Sequence, residues 1–163
     1  MDRVTPTLTI LAIVLVVFTL IALGWRARRR RHAGLPAPAS PPAALDDALL
    51  AVDGFYVATT IADAPTDRVA VHGLAFRGRA GVAVHPEGVV LMIAGAPDVF
   101  LARDALVGVG RATWTIDRVV GRDGLVFVRW TLGGTAVDTY LKVADPDALV
   151  VALETVVPEK EAA

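Results

Sequence analysis

Residues 8–23 read LTILAIVLVVFTLIAL, sixteen positions without a charge. Taken with Thr7, Gly24 and Trp25, the segment 7–25 makes a helix of about 28 Å at 1.5 Å per residue, close to the roughly 30 Å hydrocarbon core of a bilayer. The rest of the chain is too small to cover such a helix on every side. The segment is therefore expected to be a transmembrane helix with the lipid bilayer as its partner. Pro6 suits a first helical position, where a missing N–H loses nothing. Trp25 suits the headgroup level at the other end.

Charge order sets the expected topology. Only Arg3 precedes the apolar run, whereas Arg26, Arg28, Arg29, Arg30 and Arg31 follow it. A cleavable signal carries its positive charges first and has a shorter apolar stretch of about 7–15 residues. An uncleaved single-pass anchor in the cell (inner) membrane is expected. Met1–Pro6 would lie outside, and the basic collar 26–32 with everything after it would lie in the cytoplasm. Trp25 and the five arginines are the expected topology and headgroup residues.

The net charge of −1 is a cancellation. From Asp46 onward the chain holds ten Lys and Arg against sixteen Asp and Glu. An acidic domain behind a basic collar argues against nucleic acid as a partner. The absence of Cys excludes a disulfide framework, a Cys-based zinc site and a Cys nucleophile.

Residues 33–42, AGLPAPASPP, hold four Pro and are expected to form a semi-rigid spacer of polyproline type. A domain over 43–158 follows. Leu45, Leu49 and Val52 recur at helical spacing and predict a short helix over 43–52, with Asp53-Gly54 as a turn. Short apolar runs broken by Gly, Pro and Asp then predict about six to eight antiparallel strands. These include 55–61, a hairpin of 79–85 with 88–93, 99–101, and one bent strand over 106–109 and 113–116. Gly108 and Gly110 suit a bulge. Arg122-Asp123-Gly124 predicts a turn, and Gly133-Gly134 predicts a tight hairpin between 125–132 and 135–143. Asp145 as N-cap and Pro146 as first residue predict a helix over 145–157. Its stripe would be Leu149, Ala152, Leu153, Val156 and Val157. Pro158 ends it, and 159–163 form a polar tail.

The segments GVAVHPEGVVLMI (81–93), VFLARDALVGVGR (99–111) and LKVADPDALVVALE (141–154) resemble the bacterial pleckstrin-homology-like domain. More narrowly, RATWTIDRVV…DGLVFVRWTLGG (111–134), FYVATT (55–60) and DRVAVHGLAFRGRA (67–80) are similar to a family of small actinobacterial single-pass membrane proteins. The resemblance implies a mainly-β fold: a bent antiparallel PH-like barrel capped by a C-terminal helix, held at the cytoplasmic face. It supplies no catalytic residue.

No G-x-S-x-G and no H-E-x-x-H occurs, and no cofactor motif is present. His72 and His85 lack a carboxylate at ligand spacing and read as hydrogen-bonded surface groups. Asp46, Asp47, Asp145 and Asp147 suit helix N-termini rather than acid–base work. Trp114 and Trp130 read as sheet or core residues. Arg77 and Arg79 flank Gly78 on an expected loop after the first strand, and are the candidate ligand-facing residues. The chain thus reads as a non-enzymatic, membrane-anchored binding or assembly module with a protein partner at the membrane. The alternative is an accessory subunit of a membrane transport or export complex.

Overall fold

The structure is a computed structural model that describes residues 4–112, 114–115, 118–119 and 124–158. The chain forms two compact units, Met1–Gly34 and Leu35–Ala163. The first is one helix, α1 (Val4–Arg31). Its stretch Pro6–Ala27 is long and apolar enough to cross a membrane, and every residue of it is exposed.

The second unit carries strands β1 (Leu50–Ile61), β2 (Ala64–Arg68), β3 (Gly78–His85), β4 (Gly88–Ile93), β5 (Val99–Ala102), β6 (Leu106–Ala112), β7 (Trp114–Thr115), β8 (Arg118–Val119), β9 (Leu125–Leu132) and β10 (Thr135–Val143). Helix α2 (Pro146–Val156) follows. The main sheet is antiparallel, in the order β5-β4-β3-β1-β10-β9-β6, with β2 also paired to β1; β7 and β8 pair separately. This bent sheet and its C-terminal helix make a PH-like fold.

Strand β1 bends the sheet. Its first half pairs with β3 and its second half with β10, and the register shifts between Tyr56 and Ala58. Val57 is the extra residue of a bulge, which re-aims every side chain after it. Leu50, Val52 and Tyr56 point into the main core before the bulge, and Ile61 joins that core after it. Val57 packs instead with Leu125 and Tyr140 in a second cluster.

The core is Val- and Leu-rich: Val82 and Val84 of β3, Val89 and Leu91 of β4, Val126, Val128 and Trp130 of β9, and Val137 and Leu141 of β10. Helix α2 closes it with Leu149, Leu153 and Val156 buried, and with Ala152 and Val157, the rest of the expected stripe, half-buried against it. Its start is built as the sequence implies: Ala148 N donates to Asp145 Oδ1 at 3.0 Å, with Pro146 in the first turn. Gly133 and Gly134 both have positive φ, 57° and 84°, as a two-residue hairpin of the primed kind requires.

A buried hydroxyl chain crosses this core. Trp130 Nε1 donates to Thr139 Oγ1 at 2.9 Å, which lies 2.8 Å from Thr59 Oγ1. Tyr56 Oη is 2.9 Å from Thr59 Oγ1 and 2.9 Å from the Leu74 carbonyl. The carbonyl can only accept, so the phenol proton goes there. Burial pushes the Tyr56 phenol up to about 12, against hydrogen bonding to Thr59 and the charge of Arg68.

Several expectations fail for one reason: strand pairing outweighs local pattern. No helix forms over 43–52. Leu50 and Val52, at the period of two of a strand, are half-buried and pack against the core, while Leu49 is exposed. Asp53-Gly54 is not a turn but mid-strand, opposite Gly81 and Ala80. A Cβ on Gly54 would stand 2.4 Å from the Lys142 carbonyl, so glycine permits close strand approach rather than a reversal. Asp46 caps no helix; its N–H donates to Glu87 Oε1 at 3.1 Å.

Residues 35–42, expected as a free spacer, belong to the compact unit. Leu35 packs on the core, and the Ala39 carbonyl accepts from Phe100 N at 2.8 Å. Pro36 fills the space over Gly133, where a Cβ would meet it at 2.3 Å. A Pro-rich strand can lie on a sheet edge because its missing N–H groups are on the unpaired side. Here one bridge, Ala39 to Phe100, sets the segment against the outer edge of β5.

The strand expected over 106–109 and 113–116 appears as β6, with a bulge between Leu106 and Gly108, and then β7. Thr113, Ile116, Arg122, Asp123 and the tail 159–163 lie outside the described residues, as do the side chains of Trp114 and Arg118.

Candidate functional site

Outward-facing residues on the other side of the sheet form two grooves. The larger, about 680 Å³, lies over β1, β3 and β4 and is lined by Asp53, Phe55, Arg79, Gly81, Met92 and Asp98, among others. Register explains its composition. Phe55 pairs with Lys142 on one side and Arg79 on the other, giving a cation–aromatic–cation row across three strands. In the next row Asp53 faces Gly81, which faces Met92. Gly81 leaves the hollow, and the Met92 methyl folds over it.

Phe55 and Met92 are 44% and 41% exposed, and Phe76, on the loop leading into β3, is 69% exposed. Arg77, Arg79 and Lys142 are exposed. Among the described residues none of these three forms an ion pair with Asp or Glu.

The smaller groove, about 380 Å³, includes Asp63, Arg111, Phe127, Arg129, Asp138 and Tyr140. Its arginines are both ion-paired, although among the described residues Nε and Nη1 of Arg111 are buried without a hydrogen-bond partner. Arg129 donates to both oxygens of the buried Asp138 and to Asp63, and Arg111 lies 3.2 Å from Asp147. Hydrogen bonding to Asp138 raises the Arg129 pKa further above its ordinary value. Desolvation, then the Asp138 charge, raises that of Tyr140. Asp63 sits at φ 61°, a left-handed position that Asp tolerates. This groove is a structural ion-pair lattice with an aromatic floor of Phe127 and Tyr140, ring centroids 6.2 Å apart.

Both domain histidines tie down the N-terminal segment. His72 Nε2–H donates to the Leu35 carbonyl at 2.8 Å, and His85 Nδ1–H donates to the Asp46 carbonyl at 2.7 Å. His72 takes φ 54° to do so. Among the described residues no three His, Asp or Glu side chains are grouped to hold a metal.

The structure places Arg79 on β3 inside the larger groove and Arg77 on the loop just before it. Trp25 and the collar arginines belong to α1, in the other unit. Sequence reasoning omitted Phe55, Met92 and Lys142 from the site. The alternation of β10 already put Lys142 on the outward face, but pairing it with Phe55 and Arg79 requires the register.

The larger groove combines the apolar Phe55 and Met92 with Arg79, Asp53 and Asp98, a lining of mixed charge. The Bacterial PH domain-like family model matches residues 35–156. No curated protein matches the chain. Among solved structures, a chain of the 8S snRNP Assembly Intermediate is similar over 78% of this chain and 95% of its own, at 12% identity and a TM-score of 0.48. From its start at Leu35, through the bent sheet, to the end of α2, the chain belongs to the bacterial PH domain-like family.

Proposed function

We propose that the protein is a non-catalytic binding or assembly module, anchored by one membrane-spanning helix and working through its PH-like domain on the cytoplasmic side. The observation that carries this reading is α1. Pro6–Ala27 carries no charge before Arg26, is exposed along its length, and is followed at once by Arg28, Arg29, Arg30 and Arg31. An apolar helix that no protein covers belongs in lipid, and the adjoining arginines hold their end in the cytoplasm.

Tethering raises the effective concentration of the domain toward membrane partners into the mM range typical of short linkers. A weak contact at the larger groove then suffices. Arg77 and Arg79 are the ligand-facing cations in this reading, and Trp25, Arg26 and Arg28–Arg31 fix the anchor.

The test is membrane fractionation with a C-terminal fluorescent fusion. The intact chain should sediment with membranes, resist an alkaline carbonate wash and fluoresce. A soluble product, or a mature mass lacking the N-terminal residues, overturns the reading in favour of a cleaved signal. Exchanging residues 8–23 for an unrelated apolar helix separates the two roles of α1: a partner held by the domain survives the exchange, and one held by the helix is lost.

A further inference from the structure

We infer that the smaller groove binds a zwitterion with an apolar side chain: its carboxylate on Arg111, its ammonium beside Asp63 and its side chain on Phe127. A free apolar amino acid and a short peptide share that chemistry. The inference does not depend on the membrane anchor.

The two walls of the groove carry opposite charges. The strand order β1-β10-β9-β6 puts Asp63, just after β1, at one side and Arg111 of β6 at the other, with Tyr140 and Phe127 between them. At the first wall one guanidinium, that of Arg129, serves two carboxylates: Asp138 through both oxygens and Asp63 through one. One negative charge is left in excess there. It falls on Asp63, whose side chain is 83% exposed, so the carboxylate has room for a further donor. An ammonium is that donor.

The opposite wall is short of acceptors. Nε and Nη1 of Arg111 are buried, and among the described residues neither has a hydrogen-bond partner. Buried donors in folded proteins are nearly always matched. Asp147 comes within 3.2 Å of Nη1, but its side chain is 89% exposed, and a water-facing ion pair of this kind holds weakly. A ligand carboxylate can displace it and supply the missing acceptor.

The floor between the walls is apolar. Gly110 pairs with Phe127, and a Cβ at Gly110 would stand 2.7 Å from the Phe127 ring. Glycine thus lets the ring lie over β6, on the strand that carries Arg111. The groove holds about 380 Å³, at the small end of the roughly 300–1,000 Å³ typical of ligand sites. A phosphate fits worse than a carboxylate, because its second negative charge would meet a wall already in excess of negative charge.

The experiment titrates the full chain in detergent micelles and follows the amide NMR signals of Gly110 and Phe127. The probes are L-phenylalanine, the dipeptide leucyl-phenylalanine, 3-phenylpropanoate (no ammonium), phenethylamine (no carboxylate) and phenyl phosphate. Each is taken to about 10 mM, tenfold above the Kd of a weak specific complex. At least one zwitterion should shift both amides and bind about tenfold or more tightly than either singly charged analogue, the effect of one hydrogen bond to a charged group. Tighter binding of phenylalanine names the amino acid as the source, and tighter binding of the dipeptide names the peptide. Arg111→Gln should reduce the better zwitterion to the level of phenethylamine. Asp63→Asn, which keeps a side chain tolerated at positive φ, should reduce it to the level of 3-phenylpropanoate. Gly110→Ala should displace the ring and weaken every probe. Unchanged signals from β3 and β4 show that a variant is folded; for one that is not, the analogue series on the native chain decides.

No shift with either zwitterion, or equal Kd values for zwitterions and singly charged analogues, overturns the inference. Tighter binding of phenyl phosphate also overturns it and makes the groove an anion site.

Discussion

Arg129 and Asp138 face each other across β9 and β10, and the guanidinium holds the carboxylate at both oxygens: Nε to Oδ1 at 2.7 Å and Nη2 to Oδ2 at 2.9 Å. Asp138 is 5% exposed, so its charge depends on this partner; exposed Asp63, at 2.9 Å, adds a weaker second contact to the same guanidinium. Removing one member of a buried pair leaves the other uncompensated, which destabilises by roughly 3–5 kcal/mol.

Arg129→Met should therefore lower stability by about 3 kcal/mol, the lower end of that range because the guanidinium is partly exposed. Adding Asp138→Asn should restore much of the loss. Denaturant unfolding of the two single variants and the double variant measures the coupling. Additive losses would show that the pair contributes nothing as a pair.

Thr139→Val should cost about 1–3 kcal/mol, because Trp130 Nε1 and Thr59 Oγ1 both lose a buried partner while the shape is kept. The same change at an exposed threonine such as Thr155 should cost well under 1 kcal/mol. Thermal melts of the two variants side by side test the contrast.

Tyr56 makes the fold sensitive to alkali. Its phenol is held up to about 12 in the folded state, against an ordinary value of 10. The folded state thus keeps a proton that the unfolded state releases. Stability is complete below pH 10 and falls as pH rises from 10 to 12, by about 2–3 kcal/mol in all. Tyr56→Phe should be less stable at neutral pH, through loss of the Leu74 hydrogen bond, and should lose this slope. Unfolding midpoints from pH 8 to 11.5 read both effects.

Glu87 acts at the acid end. The N–H of Asp46 holds its carboxylate below the usual range. A lowered folded pKa stabilises above the unfolded value and is lost as pH falls through the folded one. Protection of the Asp46 amide, taken relative to its intrinsic exchange rate at each pH, should therefore fall as pH drops below the ordinary glutamate value and through the lowered folded one. In Glu87→Gln that pH dependence should vanish. An unchanged profile would mean that the segment entering β1 is held by His85 alone.

Gly54→Ala tests the close approach of β1 and β10. The added methyl meets the Lys142 carbonyl, whose strand must shift, at an expected cost of about 1–3 kcal/mol for overpacking. Gly108→Ala, where nothing lies within 4 Å, is the control and should cost less.

The sequence by itself determined the apolar span, the basic collar, the hairpin at Gly133-Gly134, both strands flanking it and the helix opened by Asp145. Each is a local pattern whose physics acts within a few residues: a run length, a charge order, a positive-φ pair, a cap. Trp130 was legible as a core residue for the same reason, lying on the apolar face of an alternating strand. The residues decided by tertiary structure are those whose role is set by a neighbour far along the chain. Leu45, Leu49 and Val52 carry a helical spacing, yet β3 recruits Leu50 and Val52 into a strand because ladder pairing and core burial outweigh a weak local preference. The Pro-rich segment reads as a free spacer, but the open edge of β5 gives it a place to lie. Arg79 was visible as a cation, and Lys142 as an outward residue. Only the register of β10, β1 and β3 sets both beside Phe55, because a sheet converts separations of dozens of residues into neighbours about 5 Å apart.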